Sequence, residues 1–393
     1  MREWVCSRAA MCGPMWVHPV ALLELLMGFR CGIVGLPNVG KSTLFNALLS
    51  TMQAEAANYP FCTIEPNVGR VEVPDPRLEK LAAIAGSAKQ LPTQLEFVDV
   101  AGLVRGASKG EGLGNKFLSH IREVDAILYV LRCFEGGDVV HVEGGVDPLR
   151  DAAIVETELL LADMDSLEKR LPAAQKKGKA GDQEAADQAA LMERVLAVIN
   201  DNRPARVTPV RDAIEQRRLE QLQLLTTKPV LYVCNVDESS AATGNSLSMQ
   251  VEKMAAKHDA PCVIVSARIE AEISVLPTAE DRREFLASLG LAETGLSRVI
   301  RTGYQLLDLV TFFTVGPKEA RAWTIPAGTL APQAAGVIHT DFERGFIRAE
   351  TVAYPDYVEY SGEAGARKAG KFRLEGKEYV VQDGDVLHFR SGV

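Results

Sequence analysis

The segment from Gly35 to Ser42 reads G-L-P-N-V-G-K-S, which has the residue types and the spacing of a phosphate-binding loop. A short apolar stretch at 29–34 precedes it, and the residues from Thr43 onward have a helical pattern, so the loop joins a strand to a helix. The glycines allow a tight turn in which successive backbone N–H groups point at one anion. Lys41 would contact the β- and γ-phosphates, and the Ser42 hydroxyl would bind Mg²⁺. We therefore predict that the chain binds a nucleoside triphosphate.

Thr63 and Asp99, both further along the chain than the loop, are predicted to complete the metal site. Thr63 lies in a proline-bounded loop, where a hydroxyl can sense Mg²⁺ and the γ-phosphate, although a threonine in a loop is more often only a turn residue. Asp99 ends an apolar stretch, which is the position of a Walker-B carboxylate, and Gly102 follows where it can sense the γ-phosphate. We predict Ser42, Thr63 and Asp99 as the Mg²⁺ ligands.

The group that orients the attacking water is less clearly marked. Leu103 stands where many GTPases have a glutamine, and its side chain makes no hydrogen bond, so either hydrolysis is slow or another group acts. Asn38 in the loop could help to bind a monovalent cation such as K⁺ beside the phosphates. His141, in a glycine-rich loop, could fold onto the site, with His120 as the alternative, whereas a lone histidine is usually structural. We predict Lys41, Asn38 and His141 as the catalytic residues.

The choice of base is predicted from the residues that follow an apolar stretch at 231–234. A guanine-reading site has N-K-x-D there, and its carboxylate accepts two hydrogen bonds from the guanine edge. This chain has N-V-D-E, with Val236 in place of the lysine and Glu238 in place of the aspartate, while Asn235 is kept. The paired-acceptor geometry specific for guanine is therefore lost, which predicts ATP over GTP. Ser266 begins an S-A-R loop placed to close over the base.

Composition limits the classes of partner. The chain has 393 residues, a net charge of −9 and a pI near 5.4, which argues against a protein that coats nucleic acid without specificity but allows a local basic face. Seven scattered cysteines favour reduced thiols in a cytosol. No apolar run approaches the roughly 18–20 residues that span a bilayer. We expect a cytoplasmic monomer without membrane contact, and an N-terminal extension, residues 1–26, that packs poorly.

The order of the patterns predicts three domains. Strands and helices alternate over 27–149 and again over 227–307, which indicates one nucleotide-binding domain with a parallel sheet. Long helical stretches at 150–226 interrupt it, joined by a basic turn at 176–182, and predict an antiparallel helical hairpin. Residues 308–393 have short strand patterns and predict a small β-rich module.

Seven segments together resemble the Obg-like ATPase (YchF) family of phosphate-loop proteins. They are G-L-P-N-V-G-K-S-T at 35–43, N-Y-P-F-C-T-I-E-P-N at 58–67, D-V-A-G-L-V at 99–104, G-A-S-K-G-E-G-L-G-N at 106–115, N-V-D-E at 235–238, R-A-W-T-I-P at 321–326 and A-P-Q-A-A-G-V-I-H-T-D-F-E-R-G-F-I-R-A-E at 331–350. The resemblance implies an α/β fold: a G-domain-like P-loop NTPase sheet with an inserted antiparallel helical hairpin, and a small C-terminal α+β domain of the β-grasp-like TGS type.

The resemblance also implies a cytosolic Mg²⁺-dependent ATPase that associates with ribosomes. By that likeness the nucleotide would contact Asn38, Val39, Gly40, Lys41, Ser42, Thr43 and Val236. To these the residue patterns above add Gly102, Asn235, Glu238 and Ser266.

Two basic segments are candidate contacts for ribosomal RNA. The run R-K-A-G-K-F-R at 367–373 could give salt-sensitive binding, and the lysines at 176–179 are a second candidate. The plain alternative is a solvated helix face. Two other functions stay open, namely a GTPase of the same fold and a nucleotide-gated ribosome adaptor whose hydrolysis is incidental.

Overall fold

The computed structural model describes residues 29–56, 68–100, 113–136 and 145–392, which form two compact units. The first unit, the nucleotide unit, comprises Phe29–Val73 and Gln94–Leu307. The second, the C-terminal unit, comprises residues 308–392 together with Pro74–Thr93. The predicted extension at 1–26 lies outside the described residues. Residues 74–93 were predicted in the nucleotide-binding domain, and here the structure corrects that assignment.

The strands, numbered along the described part of the chain, are β1 (Phe29–Val34), β2 (Val68–Glu72), β3 (Gln90–Leu91), β4 (Gln94–Asp99), β5 (Ala126–Arg132), β6 (Val230–Asn235), β7 (Cys262–Val265), β8 (Leu309–Val315), β9 (Ala320–Pro326), β10 (Phe346–Ala353), β11 (Arg373–Glu375) and β12 (Asp385–Ser391). The α-helices are α1 (Lys41–Ala56), α2 (Pro76–Ala85), α3 (Leu113–Arg122), α4 (Pro148–Lys179), α5 (Gln183–Asn200), α6 (Ala213–Gln221), α7 (Ser246–Lys257), α8 (Ala267–Ser274), α9 (Ala279–Ser288), α10 (Gly295–Leu306), α11 (Ala331–Ile338), α12 (Thr340–Arg344), α13 (Tyr354–Glu359) and α14 (Glu363–Lys368).

The nucleotide unit contains a six-stranded sheet in the order β2-β4-β1-β5-β6-β7. All neighbouring pairs are parallel except β2 and β4, which are antiparallel. Strand β5 is buried along its whole length, as expected of a central parallel strand that is covered on both faces. The carboxyl ends of β1, β4 and β6 meet at one edge of this sheet, and that edge is where open parallel sheets bind ligands.

The helical insertion is a hairpin of α4 and α5, followed by the short helix α6. The helices are antiparallel, since Gly178 lies against Ala186 beside the turn and Gln175 donates to Glu193 further away from it. A Cβ atom on Gly178 would lie 2.8 Å from the Cα of Ala186, so the glycine permits this close approach. Helix α4 continues through Lys179, and the predicted basic turn is therefore largely helical.

The C-terminal unit is built on a mixed sheet in the order β11-β10-β12-β8-β9-β3. Helix α2 packs on this sheet through Leu78 and Leu81, which belong to the same buried cluster as Phe313. Helix α11 contributes to a second cluster around Phe312. Segment 74–93 therefore supplies both an edge strand, β3, and a core helix to the C-terminal unit, which its position in the sequence does not reveal.

Among the described residues, no helix is both long enough and apolar enough to cross a membrane.

Candidate nucleotide-binding site

The phosphate-binding loop runs from the end of β1 to the start of α1, and Lys41 is folded over it. The Lys41 ammonium donates hydrogen bonds to the carbonyl oxygens of Gly35 (2.6 Å) and Leu36 (2.8 Å). The residue is only 8% exposed, and this burial lowers the pKa of Lys41 from its ordinary 10.5 to about 8, opposed by the charge of Asp99. A buried ammonium beside a set of backbone N–H groups is arranged to neutralise phosphate oxygens.

Two positions in the middle of the loop have a left-handed backbone. Asn38 has φ 65° and is exposed, while Gly40 has φ 98°. A Cβ atom at Gly40 would lie 2.3 Å from the Asn235 amide nitrogen, so only glycine fits there. Val39 is buried between these two positions, and Ser42 is exposed in the first turn of α1.

Thr43 follows Ser42 and is likewise exposed. Both hydroxyls therefore lie at a helix N-terminus, where free N–H groups favour an anion.

Asn235 connects the loop to two other elements of the nucleotide unit. It ends β6, is 5% exposed, and donates from its amide nitrogen to the Val39 carbonyl oxygen over 2.9 Å. Its amide oxygen accepts from the Ala267 N–H over 2.9 Å. The sequence predicts Asn235 as a nucleotide contact, and the structure shows that its side chain also fixes the loop against α8.

Asp99 is the candidate metal ligand that the structure describes best. It ends β4 opposite Ile33 of β1, and its Oδ1 atom is buried without a hydrogen-bond partner. Burial raises the pKa of Asp99, and the Lys41 charge opposes that rise. An unpaired carboxylate oxygen at the end of β4 and an exposed Ser42 hydroxyl at the start of α1 are both oxygen ligands that suit Mg²⁺, which binds few protein oxygens and keeps several waters.

Several of the predicted residues are not placed by the structure. Thr63, Gly102, Leu103 and His141 lie outside the described residues. His120 lies in the last turn of α3, and its Nδ1 atom is buried without a hydrogen-bond partner. Within the described ranges, no group of three or more His, Cys, Asp or Glu residues could hold a metal ion.

The residues predicted to read the base lie at the carboxyl ends of β6 and β7. Val236 is 2% exposed, and its N–H donates to the Val265 carbonyl oxygen over 2.8 Å. Ser266 precedes α8, and its hydroxyl is buried without a hydrogen-bond partner. Glu238 forms an ion pair with Arg268, with 2.7 Å between Oε1 and Nε. The glutamate that ends the N-V-D-E segment is therefore already held in an ion pair.

Sequence reasoning missed two features of this edge. The Asp237 carboxylate caps the short 3₁₀-helix Glu238–Ser240 by accepting from the Ser240 N–H, which an aspartate three residues before a serine could have suggested. No sequence pattern signalled the role of Arg268, because its partner Glu238 lies in the segment after β6, whereas Arg268 lies after β7. Its other neighbour, Glu272, is the ordinary i,i+4 partner on α8.

Two family models match the chain. The MMR_HSR1 model, described as a 50S ribosome-binding GTPase, matches residues 30–154. The YchF-GTPase_C model, described as a protein of unknown function (DUF933), matches residues 309–392.

Curated relatives match over their whole length. The "Ribosome-binding ATPase YchF" of Haemophilus influenzae is 56% identical over 367 residues, which are 93% of this chain and 100% of that protein. The protein of the same name from Bacillus subtilis is 52% identical over 369 residues, with the same coverage.

A solved structure, the "YchF GTPase" of Schizosaccharomyces pombe, is 38% identical and superimposes with a TM-score of 0.84, covering 92% of this chain and 98% of that one. It confirms the predicted fold class, a G-domain-like sheet followed by a small C-terminal α/β domain. On this identity and coverage, the chain belongs to the YchF family.

Proposed function

We propose that this protein is a Mg²⁺-dependent ATPase that binds the ribosome and uses hydrolysis as a conformational switch. The observation that carries the proposal is the buried Lys41 ammonium at the phosphate-binding loop, with the Asp99 carboxylate charge acting on it. The relatives named ribosome-binding ATPases, which this chain covers completely, support the same activity.

In the proposed reaction, the backbone N–H groups between residues 38 and 43 hold the phosphates and Lys41 neutralises their charge. Ser42, Asp99 and Thr63 would hold Mg²⁺, which when bound offsets negative charge on the β- and γ-phosphates. Gly102 would follow the γ-phosphate.

Leu103 offers no hydrogen bond to water, so we assign the positioning of water to His141 and the binding of K⁺ beside the phosphates to Asn38. Replacement of His141 by alanine should then lower turnover and leave ATP affinity nearly unchanged.

We propose ATP rather than GTP as the substrate, because Val236 and Glu238 replace the residues that recognise guanine. The second candidate is a GTPase of the same fold, favoured by the name of the S. pombe structure. A nucleotide-gated ribosome adaptor with incidental hydrolysis is the third. We expect the protein to act as a monomer in the cytoplasm, where ribosomal RNA would meet the basic segments at 176–179 and 367–373.

The test compares the parent protein with Lys41→Ala and with a control, Lys169→Ala, in which an exposed lysine on α4 is removed. The parent and the control should hydrolyse ATP only with Mg²⁺, and Lys41→Ala should lose on the order of 10²-fold or more in kcat/KM. Equal rates for parent and Lys41→Ala would refute the mechanism.

Two further measurements separate the candidate functions. Competition of ATP and GTP for one fluorescent analogue decides the base, and preference for GTP would favour the second candidate. Co-sedimentation with ribosomes, with and without ATP, tests the partner. A variant that binds ATP without hydrolysing it, yet restores the growth of cells that lack the parent protein, would favour the adaptor.

A further inference from the structure

The ion pair between Glu238 and Arg268 lies on the base-reading side of the site. Glu238 follows β6 and Arg268 lies in the first turn of α8, after β7. These strands are parallel neighbours, with Asn235 beside Val265, so both connections leave the same edge of the sheet. Asn235 in turn bonds to the phosphate-binding loop at Val39.

The pair is close, and both partners remain accessible. Arg268 Nε lies 2.7 Å from Glu238 Oε1, and their side chains are 75% and 39% exposed. Arg268 also lies 3.6 Å from Glu272 on its own helix. Two carboxylates therefore hold the guanidinium between α8 and the β6 connection, and Glu238 is already paired with a cation.

The two purines differ in what they present to this pair. Guanine offers N1–H and its 2-amino group as adjacent donors, which need a carboxylate free to accept both. Adenine offers an acceptor at N1 and a donor at its 6-amino group. A guanidinium only donates, so it matches N1 of adenine and opposes N1–H of guanine. A nucleotide carrying guanine would have to break a charge-assisted bond before Glu238 could accept both of its donors.

We propose that Arg268 is a specificity-determining residue, which directs the site to adenine by occupying the Glu238 carboxylate. The inference rests on the proposed nucleotide site and names a side chain that adds to the base preference already expected from Val236 and Glu238. Removal of Arg268 would free the Glu238 carboxylate to accept from guanine, even without the paired-acceptor geometry of an aspartate.

The experiment measures the ratio of the dissociation constants of fluorescent GDP and ADP analogues by titration. It compares the parent, Arg268→Ala, Arg268→Lys and the double variant Arg268→Ala with Glu238→Gln. The matched control is Arg283→Ala, which removes the arginine of another exposed ion pair, with Glu280 on α9 of the same unit. Thermal melting checks that each variant is folded.

Arg268→Ala should shift the ratio toward GDP by up to about fivefold, the upper end of the range for release of an exposed ion pair. Arg268→Lys and Arg283→Ala should keep the parent ratio. The double variant should return toward the parent ratio, because the gain needs the free carboxylate.

An unchanged ratio in Arg268→Ala, or an equal shift in the double variant, would overturn the role of Arg268 while the parent still bound ATP. A parent protein that bound neither nucleotide would overturn the proposed function as well.

Discussion

Lys41 is a residue whose pKa should rise when a nucleotide binds. Burial lowers the pKa of Lys41 from its ordinary 10.5 to about 8, and the charge of Asp99 opposes this lowering. A triphosphate brings several negative charges to the ammonium and therefore raises its pKa again. Binding and protonation are consequently linked above pH 8.

We predict that ATP binding takes up protons at alkaline pH. Below pH 8, Lys41 is already charged and the affinity should vary little through this group. Above pH 8 the free protein loses the proton, so affinity should fall by up to tenfold per pH unit. Isothermal titration calorimetry at pH 9, in two buffers of different ionisation enthalpy, measures the uptake directly.

Lys41→Gln serves as the control for this linkage, because it keeps a donor at the loop without a titrating group. Because position 41 then takes up no proton, the binding enthalpy of Lys41→Gln should have no contribution from this residue that differs between the two buffers. The prediction is wrong if the parent protein shows the same buffer independence.

The sequence was sufficient to predict the residues of the phosphate-binding loop. It was insufficient to predict the contacts that hold the loop in place. The spacing from Gly35 to Ser42 is local, so the pattern alone predicts the strand, the turn and the helix. The bonds of Asn235 to Val39 and Ala267 join segments far apart in sequence, and the Glu238–Arg268 pair does the same. Such contacts follow from the strand order, which no local pattern encodes.

At the scale of elements, α8 and α10 are joined by a buried carboxylate. Glu270 on α8 is 3% exposed and accepts from the Gly295 N–H over 2.7 Å, at the start of α10. A Cβ atom at position 295 would lie 2.9 Å from Glu270 Oε1, so glycine permits the contact. Burial raises the pKa of Glu270 from its ordinary 4.5 to about 7, opposed by hydrogen bonds from the backbone of Gly295 and Leu296.

This contact predicts a stability that falls as pH rises from about 4.5 to about 7. In that window the folded protein keeps a proton that the unfolded chain has lost, so rising pH favours unfolding, by about 3 kcal/mol at most. Glu270→Gln should remove this part of the slope, because the amide carries no titrating proton. Urea denaturation at pH 5, 6 and 7 gives the difference between the two proteins, and parallel curves would contradict the prediction.

The elements themselves were predicted unevenly. The continuous apolar runs of β1, β5 and β6 indicate buried parallel strands, and the structure places them in the centre of the sheet. Helix α2 has an equally regular apolar pattern, but a pattern indicates which face is buried without indicating which sheet covers it. Its partner, Phe313, lies far along the chain, and so the assignment of residues 74–93 was wrong.

At the scale of the whole molecule, the C-terminal unit is discontinuous in sequence. Residues 74–93 leave the nucleotide unit between β2 and β4, where Glu72 pairs with Gln94 in an antiparallel ladder. Val73 and Thr93, the residues at the two ends of this excursion, are both buried. The excursion is therefore an insertion into a β-hairpin.

We predict that a fragment comprising residues 29–307 is destabilised by its own α2. Removal of residues 308–392 exposes Leu78 and Leu81. Each exposed leucine loses roughly 1.5–3 kcal/mol of the free energy gained by burying its side chain. The fragment should bind a hydrophobic dye and aggregate at lower temperature than the full chain. Light scattering during heating measures this.

The matched fragment has residues 74–92 replaced by Asn-Gly between Val73 and Thr93, since a two-residue turn suits an antiparallel pair. It should bind little dye and melt cooperatively. Equal dye binding by the two fragments would show that α2 is not the source of the instability.

The same arrangement has a consequence for synthesis. Phe313 is made roughly 230 residues after Leu78, which at about 5–20 residues per second is a wait on the order of 10–50 s. During that interval the apolar face of α2 has left the exit tunnel, while Phe313, which covers it in the folded protein, has not yet been synthesised. A nascent chain of this protein should therefore be a good client for chaperones that bind at the tunnel mouth, until its last strands emerge.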